Sequence, residues 1–157
     1  MVAFVLGGLL LMTWNGRKKI NTAINDWQQA GHTVTCRPTN AVRYSALPWD
    51  RDYKHLLGTL AITNQDLLFR NDAGETEIIP LSDVQWIASG YMWRGTFGAI
   101  QLSRHLLVNF QGETLAFHTY DSRRLCRHLS ERHNLRCTRI PRGHRVWNSR
   151  LIVPPKS

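Results

Sequence analysis

The chain has 157 residues and a mass of 18.1 kDa, enough for one domain with a core and too few for two of ordinary size. Lys and Arg number 20 against 11 Asp and Glu, and 16 of those cations are Arg; the net charge of +9 favours anionic partners, either nucleic acid or an acidic membrane surface. With 43% hydrophobic residues and six Trp, a disordered chain is excluded.

Val2 to Trp14 (VAFVLGGLLLMTW) carries no charge and leads directly into Arg17, Lys18 and Lys19. At about 1.5 Å per residue the run spans roughly 20 Å, short of a roughly 30 Å hydrocarbon core. A cleaved signal peptide needs cations before the apolar run and a small-residue cleavage site after it, and both are missing. A buried core helix would have to be enclosed on every side. The segment is therefore read as an uncleaved single-pass membrane anchor carried by Val2, Phe4, Val5, Leu6, Leu9, Leu10, Leu11 and Trp14. The basic flank places the domain in the cytoplasm. Ile20, Ala23, Ile24 and Trp27 then form a helical stripe ending at Gly31, a short amphipathic helix that either lies along headgroups with Trp27 at the interface or packs on the domain.

From His32 to Tyr120 the pattern becomes short alternating strands between turn residues. His32 to Arg37 and Ala41 to Ala46 read as two extended pieces broken at Pro38, Thr39 and Asn40. Leu56 to Thr63 and Leu67 to Arg70 form a hairpin, Asn71 to Gly74 turn, and Glu77 to Leu81 make the next strand. Val84, Trp86 and Ala88 alternate in the strand after that. A glycine and aromatic loop follows, in which Tyr91, Trp93, Arg94 and Phe97 either fold over the end of the domain or form an amphipathic tip for insertion into headgroups or docking on a partner. Strands resume at Ile100, run through Leu106, Val108 and Phe110, and return through Leu115 and Phe117 after a turn at Gln111 and Gly112. The period then changes to that of a helix capped by Asp121 or Thr119 and running to about Asn134, with Leu125, Cys126 and Leu129 on one face. Beyond it, residues 135–157 contain no acid, and the segment from Asp121 onward carries ten cations against two anions.

Three segments, G-T-L-A-I-T-N-Q-D-L-L-F-R (Gly58 to Arg70), I-I-P-L-S-D-V-Q-W-I (Ile78 to Ile87) and L-A-F-H-T-Y-D-S-R-R-L-C-R-H-L (Leu115 to Leu129), resemble the pattern of the GRAM and bacterial pleckstrin-homology-like superfamily over about residues 55–134. The resemblance implies a mainly β domain, a twisted antiparallel barrel or sandwich of six to seven strands whose open end is plugged by a C-terminal helix. It also implies lipid or protein binding, or scaffolding, rather than catalysis. Phosphoinositide-binding members carry Lys and Arg in the first hairpin loop, whereas the turn here is Asn64, Gln65, Asp66. The resulting organisation is an anchor and basic flank over 1–19, an amphipathic helix over 20–31, a pleckstrin-homology-like domain over 32–134 and a basic tail over 135–157.

Cys36, Cys126 and Cys137 are odd in number and lack a CxxC pair, a poor disulfide framework that suits a reducing setting. Cys126, His128, His133 and Cys137 resemble ligands in a row, but Cys126 and His133 sit roughly 10.5 Å apart along a helix, too far for one tetrahedral ion. No G-x-S-x-G, HExxH or phosphate-cradling loop is present, so neither an enzyme nor a cofactor is expected. The function that follows is a membrane-anchored binding or scaffold module facing the cytosol. Its contacts with an anionic leaflet would come from Arg17, Lys18, Lys19, Arg123, Arg124, Arg127, Arg136, Arg139 and Arg142, with a protein partner as a further possibility. The alternative is a nucleic-acid-binding protein using the Arg-rich helix and tail, although no RRM, KH, helix-turn-helix or zinc-finger pattern accompanies them.

Overall fold

The computed structural model describes residues 2–44, 55–90 and 104–139, with side chains over 16–43, 56–90 and 105–139. Helix α1 spans Val2–Gln29. It ends where Gly31 adopts φ 85°, and the Trp27 carbonyl accepts the His32 N–H at 2.8 Å. Strands β1 (Val34–Tyr44), β2 (His55–Thr63), β3 (Asp66–Asn71) and β4 (Thr76–Pro80) form an antiparallel meander. A single 3-10 turn, Leu81–Asp83, leads to β5 (Val84–Gly90), followed by β6 (Arg104–Phe110) and β7 (Glu113–Thr119). Helix α2 (Ser122–His133) and a short strand β8 (Cys137–Arg139) complete the described chain.

The strand order is β4-β3-β2-β1-β7-β6-β5-β8, so the two meanders join where β1 pairs with β7. Turn chemistry sets these reversals. The Thr63 hydroxyl accepts the Asp66 N–H at 2.8 Å, Gly74 takes φ 95° after β3, and Gln111 and Gly112 both lie at positive φ between β6 and β7. Gly58 is required for another reason: a Cβ there would lie 2.2 Å from the Arg70 carbonyl oxygen, so β2 and β3 approach closely only because it has no side chain.

One face of each meander contributes to a shared core that includes Leu60, Ile62, Leu67 and Phe69 from the first and Ile87, Leu106, Val108 and Phe117 from the second. Leu125, Cys126 and Leu129 of α2 insert into the same core. The opposite face of β2 and β3, through Ala61 and Leu68, is covered by Ala23 and Trp27 of α1. That contact resolves the position of the amphipathic stripe: Trp27 is 2% exposed and packs on the domain. Among the described residues the architecture is mainly β, eight strands in one sheet with two helices.

Three expectations change. The break at Pro38 to Asn40 is absent: β1 is continuous, and the irregularity is absorbed as register shifts between Val34 and Thr39, where a strand tolerates proline. In β5 a register shift between Val84 and Trp86 moves the alternation, so Val84 and Ile87, rather than Val84, Trp86 and Ala88, face the shared core. Among the described residues the strands number eight rather than six or seven, because residues 137–139 of the expected tail pair in parallel with β5.

Candidate functional site

Helix α2 starts at Asp121, where the Thr119 hydroxyl accepts the Asp121 N–H at 3.3 Å, and stops at Asn134, which adopts the left-handed conformation with φ 52°. That reversal brings the chain back along β5, pairing Ile87 with Cys137 and Ser89 with Arg139. Between α2 and β8 lies a cleft of about 440 Å³. Arg123, Arg127 and Ser130 line it from α2 because they follow one another at spacings of four and three, a stripe beside the buried one. Arg139 lines it from β8 and Ser89 from β5, with Glu131 as the one acid among the described residues of the lining. Ser89 Oγ and Ser122 Oγ, 3.3 Å apart and buried, tie β5 to the first turn of α2.

Cys126 and Cys137 also line this cleft, and they form a disulfide with Cα atoms 5.9 Å apart. The expectation of three isolated thiols is thereby overturned. The left-handed turn at Asn134 reverses the chain, which sequence spacing along a continuous helix could not express. Cys36 is the one free cysteine of the described residues, buried in the core, and burial pushes its thiol above the ordinary value while the Arg124 guanidinium pulls the other way. Among the described residues no group of His, Cys, Asp or Glu could hold a metal ion. His128 Nε2 instead lies 3.1 Å from the Thr35 hydroxyl, which also approaches the Ile62 carbonyl.

The expected anionic-surface residues divide by environment. Arg123, Arg127, Arg136 and Arg139 are exposed, as are Arg17, Lys18 and Lys19 on α1. Arg124 is half-buried and engaged within the fold: it pairs with Asp121 at 3.1 Å, donates to the Arg37 carbonyl at 2.9 Å and reaches Cys36 Sγ, pinning α2 to β1. Burial alone would raise the Asp121 carboxyl, but hydrogen bonds from Arg124 and Thr39 and the charges of Arg124 and Arg37 outweigh it and hold it below the ordinary value. Acids of the body engage other cations in the same way: Lys19 with Asp72 at 2.6 Å, Arg70 with Asp26 at 2.7 Å, and Arg43 with Glu77. Lys19, ion-paired with Asp72, stands at the rim of a second groove of about 550 Å³ between α1, β1, β2 and β7, where Leu57 and Tyr120 are exposed.

The backbone of Val2 to Trp14 belongs to α1, but the side chains of Val2, Phe4, Val5, Leu6, Leu9, Leu10, Leu11 and Trp14 lie outside the described residues. So do Tyr91, Trp93, Arg94 and Phe97 of the aromatic loop, and Arg142. Among the described residues no helix is long and apolar enough to cross a membrane.

No known family matches the chain, and no curated protein does. Among solved structures it is similar to the C-terminal domain of an unknown protein from Leishmania infantum, with TM-score 0.46 and 15% identity over 67% of this chain and 87% of that one. The Sac2 domain of the human phosphoinositide phosphatase Sac2 matches with TM-score 0.46 and 10% identity over 78% and 88%. The Spt16D–Pob3N heterodimer matches with TM-score 0.44 and 12% identity over 71% and 60%. Likenesses this distant carry nothing about function.

Proposed function

We propose that the protein is a non-enzymatic pleckstrin-homology-like, GRAM-like binding module, held at a membrane by its N-terminal segment with the domain facing the cytosol, and that it contacts anionic lipid headgroups through the cleft between α2 and β8. The observation that carries this reading is the convergence of Arg123 and Arg127 from α2 and Arg139 from β8, folded back by the reversal at Asn134, on one cleft with the hydroxyl residues Ser89 and Ser130 and, among the described residues, a single acid, Glu131. Guanidinium groups suit phosphate oxygens because their planar donors bind in pairs. Three cations near an anionic leaflet contribute about 3 kcal/mol together, roughly a hundred-fold in partitioning.

The test is flotation of the full chain with vesicles of phosphatidylcholine alone or with phosphatidylserine added, for the wild type and for the combined variant Arg123→Gln, Arg127→Gln, Arg139→Gln. The N-terminal segment, with Arg17, Lys18 and Lys19, is the same in both proteins, so the difference in serine-lipid increment between wild type and variant isolates the cleft. The variant should lose most of that increment. An unchanged increment rejects the cleft as the lipid contact, and tight binding of RNA or duplex DNA with a steep salt slope would favour the nucleic-acid reading instead.

A further inference from the structure

We infer that the Cys126–Cys137 disulfide is a thiol-exchangeable latch that holds Arg139 against Arg123 and Arg127, and that the reductant it admits is a small anionic thiol. Cys137 is half-buried and lines the open cleft, whereas Cys126 is 2% exposed and packed in the core. Attack therefore falls on Cys137 Sγ. The incoming thiolate bonds to Cys137 Sγ, the Cys126–Cys137 bond breaks, and Cys126 leaves as a thiolate that takes a proton from solvent. A second thiol then attacks the mixed disulfide, so that two thiols are oxidised to one disulfide and two cysteines are reduced.

Arg123, Arg127 and Arg139 line the same cleft. Their charges favour every step that gathers negative charge there: the approach of an anionic thiolate, and the departure of the Cys126 thiolate, since a leaving thiol of lowered pKa leaves faster.

Among the described residues β8 has three residues, sits at the sheet edge, and pairs with β5 alone, through Ile87, Ala88 and Ser89, while Cys137 packs against the core beside the disulfide. Short edge strands are marginal without support. Opening the disulfide therefore frees β8 and withdraws Arg139 from the cleft, while the core built by β1 to β7 and α2 keeps its contacts. The consequence for lipid binding rests on the headgroup reading above; the latch itself does not.

The experiment uses the full chain, oxidised, in native buffer without lipid. Reduced glutathione and neutral 2-mercaptoethanol are compared by thiol trapping and mass spectrometry, and amide exchange is followed at Cys137–Arg139 and in β6. Both thiols should open the disulfide without denaturant. The variant Arg123→Gln, Arg127→Gln, Arg139→Gln should slow glutathione about tenfold and 2-mercaptoethanol less. After reduction, protection at residues 137–139 should fall at least tenfold while β6 keeps its own, and Cys137→Ser should reproduce that pattern with no reductant present. The inference is overturned if reduction requires unfolding, if β8 stays protected after reduction, or if the arginine variant exchanges at the wild-type rate with both thiols. Absence of any serine-lipid increment for the wild type in vesicle flotation, or an increment unchanged in the arginine variant, would count against the headgroup reading alone, since no readout here contains lipid.

Discussion

His105 and His118 are registered partners across β6 and β7, with ring centroids 5.0 Å apart. His105 is buried at 1% exposure, and desolvation, aided by the His118 charge, lowers it to about 3; desolvation also lowers His118. Both rings are thus neutral in the fold at neutral pH, whereas in the unfolded chain they take up protons near 6.5. Between about 6.5 and about 3 the unfolded state binds more protons at His105, so stability falls as pH falls through that window, by up to about 1.4 kcal/mol per pH unit. Asp121 acts in a different window. Its folded carboxyl lies below the ordinary value near 3.8, so its contribution is fully present above that value and is lost only as pH falls further. Urea unfolding at pH 7.5 and 5.0 therefore reads the histidines and not Asp121. The wild type should lose about 2 kcal/mol between the two values, and His105→Gln should lose distinctly less; an equal loss in the variant would assign the linkage elsewhere. At this scale the sequence was least legible. Arg124 looked like one cation among several in S-R-R-L-C-R, and only the fold shows that its neighbours Arg123 and Arg127 face the cleft while it reaches back to β1.

Helix α1 shows how much an element's pattern can tell. The stripe Ile20, Ala23, Ile24, Trp27 announced both a helix and its buried side, and Gly31 its end, because these depend on local period and backbone freedom. Which surface buries the stripe was not legible, since headgroups and the outer face of β2 and β3 are equally apolar to a helix. Packing on Ala61 and Leu68 decides it. The same division explains β1 and β5: alternation was readable, but the register shifts around Pro38 and Trp86 come from pairing with distant strands. Likewise β8 needed the reversal at Asn134 to exist at all. Packing of α1 carries a measurable expectation at Trp27. Among the described residues its indole N–H has no hydrogen-bond partner, so the side chain contributes through apolar contact while burying a donor. Trp27→Ala should cost about 3 to 5 kcal/mol in urea unfolding, as large-to-small core changes do. Trp27→Phe should cost less than about 2 kcal/mol, because the ring largely remains and the orphaned donor goes. Similar losses in both would mean that the N–H is paired in solution.

At the scale of the whole molecule, the question is how two meanders become one folding unit. Their direct backbone seam is short, with β1 and β7 in register at Val42–His118, Arg43–Phe117 and Tyr44–Ala116. Beside it, the hydroxyls of Thr39 and Thr119 lie 3.2 Å apart and buried. A seam of that length would not by itself couple two sheets, and the coupling must come from side chains shared between them. Phe117 of β7 meets Phe69 of β3 with ring centroids 5.6 Å apart and planes tilted at 51°, and both are essentially inaccessible. Tilted pairs of this kind add to simple burial, and the two rings belong to opposite meanders within one core. Helix α2 contributes Leu125 and Leu129 to the same core. Cutting Phe117 to Ala should therefore cost about 3 to 5 kcal/mol, and that loss should be felt equally on both sides of the seam. Native-state amide exchange in low urea provides the measurement. In the wild type, the slowest amides of β2 and β3 and those of β6 should open with one common free energy. In Phe117→Ala both sets should fall by the same amount. If β2 and β3 kept wild-type protection while β6 lost it, the meanders would be separate cooperative units, and the cleft built on β5, α2 and β8 would rest on only one of them.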